Sequence, residues 1–202
     1  MSRWLPASVA LLLVLLVAQD ANSTSRPPAR CSATGSQTLY DDQEVRVFTR
    51  EITETEGRTV ACSHINGRRT KLAQDSFDLY NEYVDHISAP GRWLGYSVLR
   101  GYKEHSGGRA CILRLKTGKR RCKPALPVLG LGATRVGSLA WLTYDGVDFD
   151  GEPIGRAVYK WDVGAEDAVK LDSGDDIDPD SFAVGGQRIY WTKAGEPKSA
   201  TM

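Results

Sequence analysis

After residue 17 the chain has no long apolar run. A helix needs about 20 consecutive apolar residues to cross a bilayer, so no membrane span is expected once the N-terminus is processed. There is no close Cys-x-x-Cys pair and no paired histidine, which argues against a zinc site. No Gly-x-Ser-x-Gly elbow is present, which removes the usual serine-hydrolase signature. The three histidines, His64, His86 and His105, are isolated and read as surface or turn residues. Beyond Gln74 to Tyr83, nothing follows a helical period of 3.6 residues. The chain therefore reads as all-β.

The one apolar run sits at the start. Arg3 precedes Leu5 to Val17, and Ala21-Asn22-Ser23 puts small residues at the −3 and −1 positions of a cleavage site. Residues 1–23 are read as a signal peptide, 24–38 as a flexible leader rich in Ser, Thr and Pro, and 39–202 as the folded domain. The product is expected to be secreted and extracellular. Asn22-Ser-Thr24 fits a glycosylation acceptor but lies at the cleavage point. Arg30 before Cys31 argues against lipidation.

Export puts Cys31, Cys62, Cys111 and Cys122 in an oxidising compartment, where an even count usually means bridges. Three pairings are possible. The simplest joins Cys111 to Cys122 across a hairpin turning at Thr117-Gly118, with a bulge correcting the register, and Cys31 to Cys62.

Net charge is +1, but it is unevenly distributed. Arg92 to Arg135 carries eleven Lys or Arg against Glu104 alone. Tyr144 to Ser181 carries twelve Asp or Glu against Arg156, Lys160 and Lys170. Such asymmetry can steer charged partners or simply keep copies soluble.

Strand patterns recur along the chain. Val45, Val47 and Thr49 alternate with charged or aromatic neighbours, and Asn66-Gly67 is a strong hairpin signal. Gly91-Arg-Trp-Leu-Gly-Tyr96, Gly137-Ser-Leu-Ala-Trp141 and Gly186-Gln-Arg-Ile-Tyr-Trp191 each end a polar turn in an apolar strand. Their last aromatics are 45 and 50 residues apart, and the inner turns at Gly67, Gly118 and Gly164 are 51 and 46 apart. That interval is about one four-stranded blade. Gly130-Leu-Gly132 lacks the third glycine and the helix of a phosphate loop, and is read as a connection between repeats.

Ile177-Asp-Pro-Asp-Ser-Phe-Ala-Val-Gly-Gly-Gln-Arg-Ile-Tyr-Trp-Thr192 resembles a blade of YWTD and TolB-like propeller proteins, and repeats in secreted actinobacterial proteins. Lys193 stands where the YWTD family has an aspartate. The resemblance implies a short propeller-like array of antiparallel sheets, about four blades, closed or open. It implies no activity, because propellers host many functions.

Two charged groups could carry chemistry. Asp176, Asp178 and Asp180 alternate as at the start of a calcium loop, although Ser181 and Gln187 replace the glycine and glutamate such a loop needs. Turn formation is the preferred reading, so no cofactor is expected, and calcium is the one ion such a loop would suit. Asp145, Asp148, Asp150 and Glu152 form a second acidic loop. Lys116, Lys119, Arg120, Arg121 and Lys123 straddle a hairpin tip and could hold an anionic polymer. Secretion argues against nucleic acid, and Trp93, Tyr96 and Tyr102 read as core more readily than as a stacking platform. The favoured function is a secreted non-enzymatic binding domain for an extracellular protein or polysaccharide. The alternatives are a carbohydrate hydrolase using loop carboxylates and a scaffold assembled through open strand edges.

Overall fold

The computed structural model describes residues 31–76, 80–102 and 105–202; the segment read as a signal peptide, the first residues read as leader and the Asn22 sequon lie outside them. The described chain is all-β and runs as seventeen strands. They are β1 (Ser36–Asp41), β2 (Val45–Thr53), β3 (Glu56–Ser63), β4 (Arg69–Ser76), β5 (Tyr80–Ser88), β6 (Trp93–Tyr102), β7 (His105–Arg114), β8 (Lys119–Ala125) and β9 (Val128–Ala133). After them come β10 (Leu139–Thr143), β11 (Gly146–Val147), β12 (Pro153–Ile154), β13 (Ala157–Trp161), β14 (Val169–Ser173), β15 (Ile177–Gly185), β16 (Arg188–Lys193) and β17 (Glu196–Thr201).

The propeller-like array is not what forms. Strands β1 to β8 make one continuous eight-stranded sheet, followed by a four-stranded sheet (β14-β13-β10-β9), the β11–β12 hairpin and a three-stranded sheet (β15-β16-β17). None of them closes. The boundary expected after the first repeat is bridged by hydrogen bonding, since Asp75 pairs with Asn81 and Ser76 with Tyr80. Those strands occupy the one stretch with a hint of helical period. Strand β1 also begins inside the segment read as leader.

The eight-stranded sheet doubles back at β4–β5. Val45, Val47 and Leu72 from its first half pack in one cluster with Leu94, Tyr96 and Leu113 from its second. Asn66 Nδ2 donates to the Lys116 carbonyl at 2.9 Å and Arg120 Nη1 to the Lys71 carbonyl at 3.2 Å, which fastens the two halves together. The opposite face of β6 and β7 packs Ala110 and Ile112 against Leu139, Trp141 and Trp161 of the four-stranded sheet. That sheet's other face sets Ala140, Leu142 and Val158 against Ile177, Ile189 and Trp191. Strand β10 is thus buried on both sides along its whole length. Tyr96, Trp141 and Trp191, the repeated aromatics, are all core.

Gly130 and Gly132 lie within β9, not in a connection. A Cβ on Gly130 would meet Phe182 Cδ1 at 2.8 Å, and one on Gly132 would meet Val184 Cβ at 2.5 Å. A glycine inside a strand often marks such close approach. Here it lets β15 lie directly on β9.

Cys31 is bridged to Cys62 and Cys111 to Cys122. Cys111 and Cys122 are direct cross-strand partners, so the expected bulge is unnecessary. The first bridge ties the N-terminal segment over Phe48 on the outer face of the first strands.

Gly132→Ala forces its new methyl into Val184. We expect a loss of about 1–3 kcal/mol in chemical unfolding, the usual cost of overpacking. A change below about 0.5 kcal/mol, the range of ordinary surface substitutions, would contradict the close packing of β9 on β15.

Candidate functional site

A concavity of two lobes runs beside β8, where the eight-stranded and four-stranded sheets meet. Thr143 Oγ1 donates to the Leu126 and Pro127 carbonyls at 2.9 and 3.0 Å, fixing the end of β10 to the β8–β9 connection. The first lobe, about 600 Å³, is lined by Lys123 to Leu126, Trp141, Thr143, Tyr159 and the Asp167–Ala168 pair. Trp141 and Tyr159 are cross-strand partners, and their rings stack with centroids 5.4 Å apart. Lys170 Nζ lies 5.8 Å from the Tyr159 ring centre, so Tyr159 is held by aromatic and cationic neighbours together.

The rim is ionic. Lys123 Nζ meets Asp167 at 2.6 Å, and Lys170 pairs with Asp145. The hydrogen bond to Asp145 raises the Lys170 ammonium above its ordinary range despite the opposing effect of burial. A second lobe, about 720 Å³, opens beyond Tyr144 and Asp145 between Pro153–Arg156 and Ser173–Asp175. From the junction rises the β11–β12 hairpin.

Strand alternation divides the basic group predicted from sequence. Arg120 turns to the first half of the large sheet, donating to Lys71. Arg121 reaches the Ala165 carbonyl and lies 4.5 Å over the Trp161 ring, and Lys123 lies 5.6 Å from that ring. Lys116 and Lys119 stand exposed at the turn. Only Lys119, Arg121 and Lys123 share a face, because alternate residues of a strand do.

Asp176, Asp178 and Asp180 are not gathered. Among the described residues, no three His, Cys, Asp or Glu side chains converge to hold a metal. Asp178 Oδ1 accepts the Asp180 N–H at 3.0 Å, which is turn chemistry. Of the histidines, His64 pairs with Asp41 at 3.0 Å. His86 Nδ1 lies 3.3 Å from Ser97 Oγ and 3.0 Å from Asp85. Both neighbours meet the same ring nitrogen, so no serine–histidine–carboxylate relay can run through the ring. The His105 side chain lies outside the described residues.

A polar cluster missed by motif reasoning joins the last two sheets. Asp172 accepts from Trp191 Nε1 at 2.8 Å, Lys193 Nζ at 2.9 Å and the Ser173 N–H at 2.9 Å. Lys193 also donates to the Ser173 carbonyl at 2.7 Å. The lysine that departs from the YWTD pattern therefore holds a carboxylate from the preceding sheet. Burial pushes the Asp172 carboxyl up, but these hydrogen bonds outweigh it and leave it below its ordinary value. The bond to Asp172 raises Lys193 in turn.

No family model, curated protein or solved structure matches this chain.

The Asp172–Lys193 contribution is complete between the ordinary aspartate value of 3.8 and the ordinary lysine value of 10.5. It is lost as the pH falls through the depressed folded value of Asp172, and again as the pH climbs through the raised folded value of Lys193. Asp172→Ala should cost about 1–3 kcal/mol at neutral pH by stranding the Trp191 N–H. The gap in melting temperature between wild type and variant should narrow at strong acid. A gap that stays constant from neutral pH to pH well below 3.8 would contradict this assignment.

Proposed function

We propose that the chain is a secreted, non-enzymatic binding domain whose contact surface is the groove beside β8 together with the adjoining hairpin. The observation that carries this reading is the pairing of opposites at one place. An aromatic-floored groove of about 600 Å³ lies next to a projecting tip on which Phe149 is fully exposed. Large exposed apolar groups beside a concavity commonly mark interaction sites.

Several features support export. The two disulfides suit an oxidising compartment. Among the described residues no helix is long and apolar enough to cross a membrane. Residues 1–23 carry the positive start, apolar run and small-residue site of a signal peptide.

Assembly through the free edge of β17 has less support. Met202 N donates to Gln187, so Pro197, Ser199 and Thr201 point their backbone groups outward. Pro197 has no N–H to offer, and Lys160 Nζ already holds the Thr201 carbonyl at 3.0 Å. Proline and lysine at an edge discourage strand addition.

Expressed with its own leader in a secreting host, the chain should reach the medium with a mature N-terminus at Thr24. Peptides selected from a display library, or cell-wall polysaccharides retained on the immobilised chain, should lose at least about tenfold in affinity with Lys123→Glu, a rim substitution. Retention of the uncleaved chain in the cell, or binding indifferent to that substitution, would contradict the proposal.

A further inference from the structure

We propose that the β3–β4 and β7–β8 turns together form a docking surface for a linear anionic polysaccharide, a second site apart from the groove. From the proposed function it takes only export.

Folding joins two segments that lie far apart in the chain. Residues 66–71, Asn-Gly-Arg-Arg-Thr-Lys, carry three cations and no acid. Residues 116–120, Lys-Thr-Gly-Lys-Arg, carry three more, again with no acid. Asn66 Nδ2 donates to the Lys116 carbonyl at 2.9 Å, and Arg120 Nη1 to the Lys71 carbonyl at 3.2 Å. Arg68 lies over the opposite turn, its Cδ 3.0 Å from where a Cβ on Gly118 would stand. Both turns are closed, since Asn66 Oδ1 accepts the Arg68 N–H at 3.0 Å and the Gly118 N–H donates to the Arg114 carbonyl at 2.9 Å. Arg68, Arg69, Lys71, Lys116, Lys119 and Arg120 are thus held at one place, and all six are exposed.

Their own chain does not neutralise them. Among the described residues, no carboxylate forms an ion pair with Arg68, Lys71, Lys116, Lys119 or Arg120. The contacts they make are with neutral groups: Lys71 Nζ meets Gln74 Oε1 at 3.1 Å, and Arg120 meets the Lys71 carbonyl. The acidic β1–β2 turn flanks the β3–β4 turn on the other side, and its carboxylates are engaged elsewhere. Asp41 meets His64 at 3.0 Å, Asp42 accepts from Tyr40 Oη at 2.9 Å, and Asp42 and Glu44 line a hollow with Arg92 and Arg135. Like charges fixed side by side repel, and an outside polyanion relieves that repulsion while releasing its own counterions. Three of the six are arginines, whose forked donors match sulfate and phosphate oxygens.

The chemistry around the cations selects the partner. Neither segment holds an aromatic residue on which bases could stack. Ile65, about half exposed beside them, offers little apolar surface to a bilayer. The leaflet rich in anionic lipid faces the cytoplasm, away from an exported protein. A flexible extracellular polymer bearing repeated sulfate or phosphate groups meets both turns at once.

Titration calorimetry on the purified secreted chain at low salt tests this with two probes, a heparin hexasaccharide for sulfate and polyglycerol phosphate for phosphate. At least one should bind, with an affinity that falls steeply as salt is raised. Arg68→Glu combined with Lys116→Glu should weaken that binding by at least about tenfold. The melting temperature of this variant should stay the same or rise, because repulsion at the turns is relieved. Lys198→Glu, which removes a cation elsewhere on the surface, should leave binding unchanged. Failure of both probes to bind, or binding that the double substitution leaves intact, overturns the proposal. Tighter binding of duplex DNA of equal charge, or of phosphatidylserine vesicles, overturns it as well and assigns the surface to that partner. Ligands of the groove depend on Lys123 and not on Arg68 and Lys116, so loss of either response leaves the other reading standing.

Discussion

The constraint behind this fold is that its central strands bury both of their faces. Strand β10 is buried at every position, and β6 and β7 are buried on both faces over residues 94–98 and 110–113. The chain meets that demand by doubling its first sheet back on itself and laying two further sheets on top. Each interface needs close approach, and glycine supplies it twice. Gly95 admits Leu139 and Ala133, whose side chains would lie within 3 Å of any Cβ placed there. Gly132 admits Val184 in the same way. Two bridges then fix places the packing does not: one ties the N-terminal segment over Phe48, the other staples β7 to β8.

With the interior fully committed, chemistry is left to the seams and turns. The seam between the last two sheets is held by Asp172, Trp191 and Lys193, all consumed in structure. Arg120 is spent in the same way on the Lys71 carbonyl. Apart from the basic turns, what remains free lies where β8 ends and β10 turns outward: a groove whose floor is the edge of the core, and a hairpin that belongs to neither neighbouring sheet. The hairpin can project because β10 and β13 already pair with each other, so β11 and β12 add nothing to that sheet's ladder.

Much of this was legible in the sequence. Asn66-Gly67, Thr117-Gly118, Gly185-Gly186 and Ala194-Gly195 mark real hairpins, each with the glycine in second place at the positive φ that favours that residue. The repeated aromatics mark buried strands. How the repeats join was not legible: pairing of Asp75 with Asn81 across the expected boundary depends on how the halves fold together, which no local pattern encodes. Gly130 and Gly132 read as a connection because the residues that need their smallness, Phe182 and Val184, come 52 positions later in the chain. The basic run read as one patch because sequence order hides alternation, although Lys119, Arg121 and Lys123 could have been separated from Arg120 by period alone. Phe149 reads from sequence as part of an acidic loop. Its signal, a lone large apolar residue among carboxylates, becomes informative only once nothing covers it.

Amide hydrogen exchange on the disulfide-intact chain tests the central claim most directly. If burial of both faces organises the fold, the slowest amides lie in β6, β7 and β10, and the 146–154 hairpin exchanges freely in the monomer. Strand β10 exchanging as fast as the edge strands β1 and β17 would contradict the account.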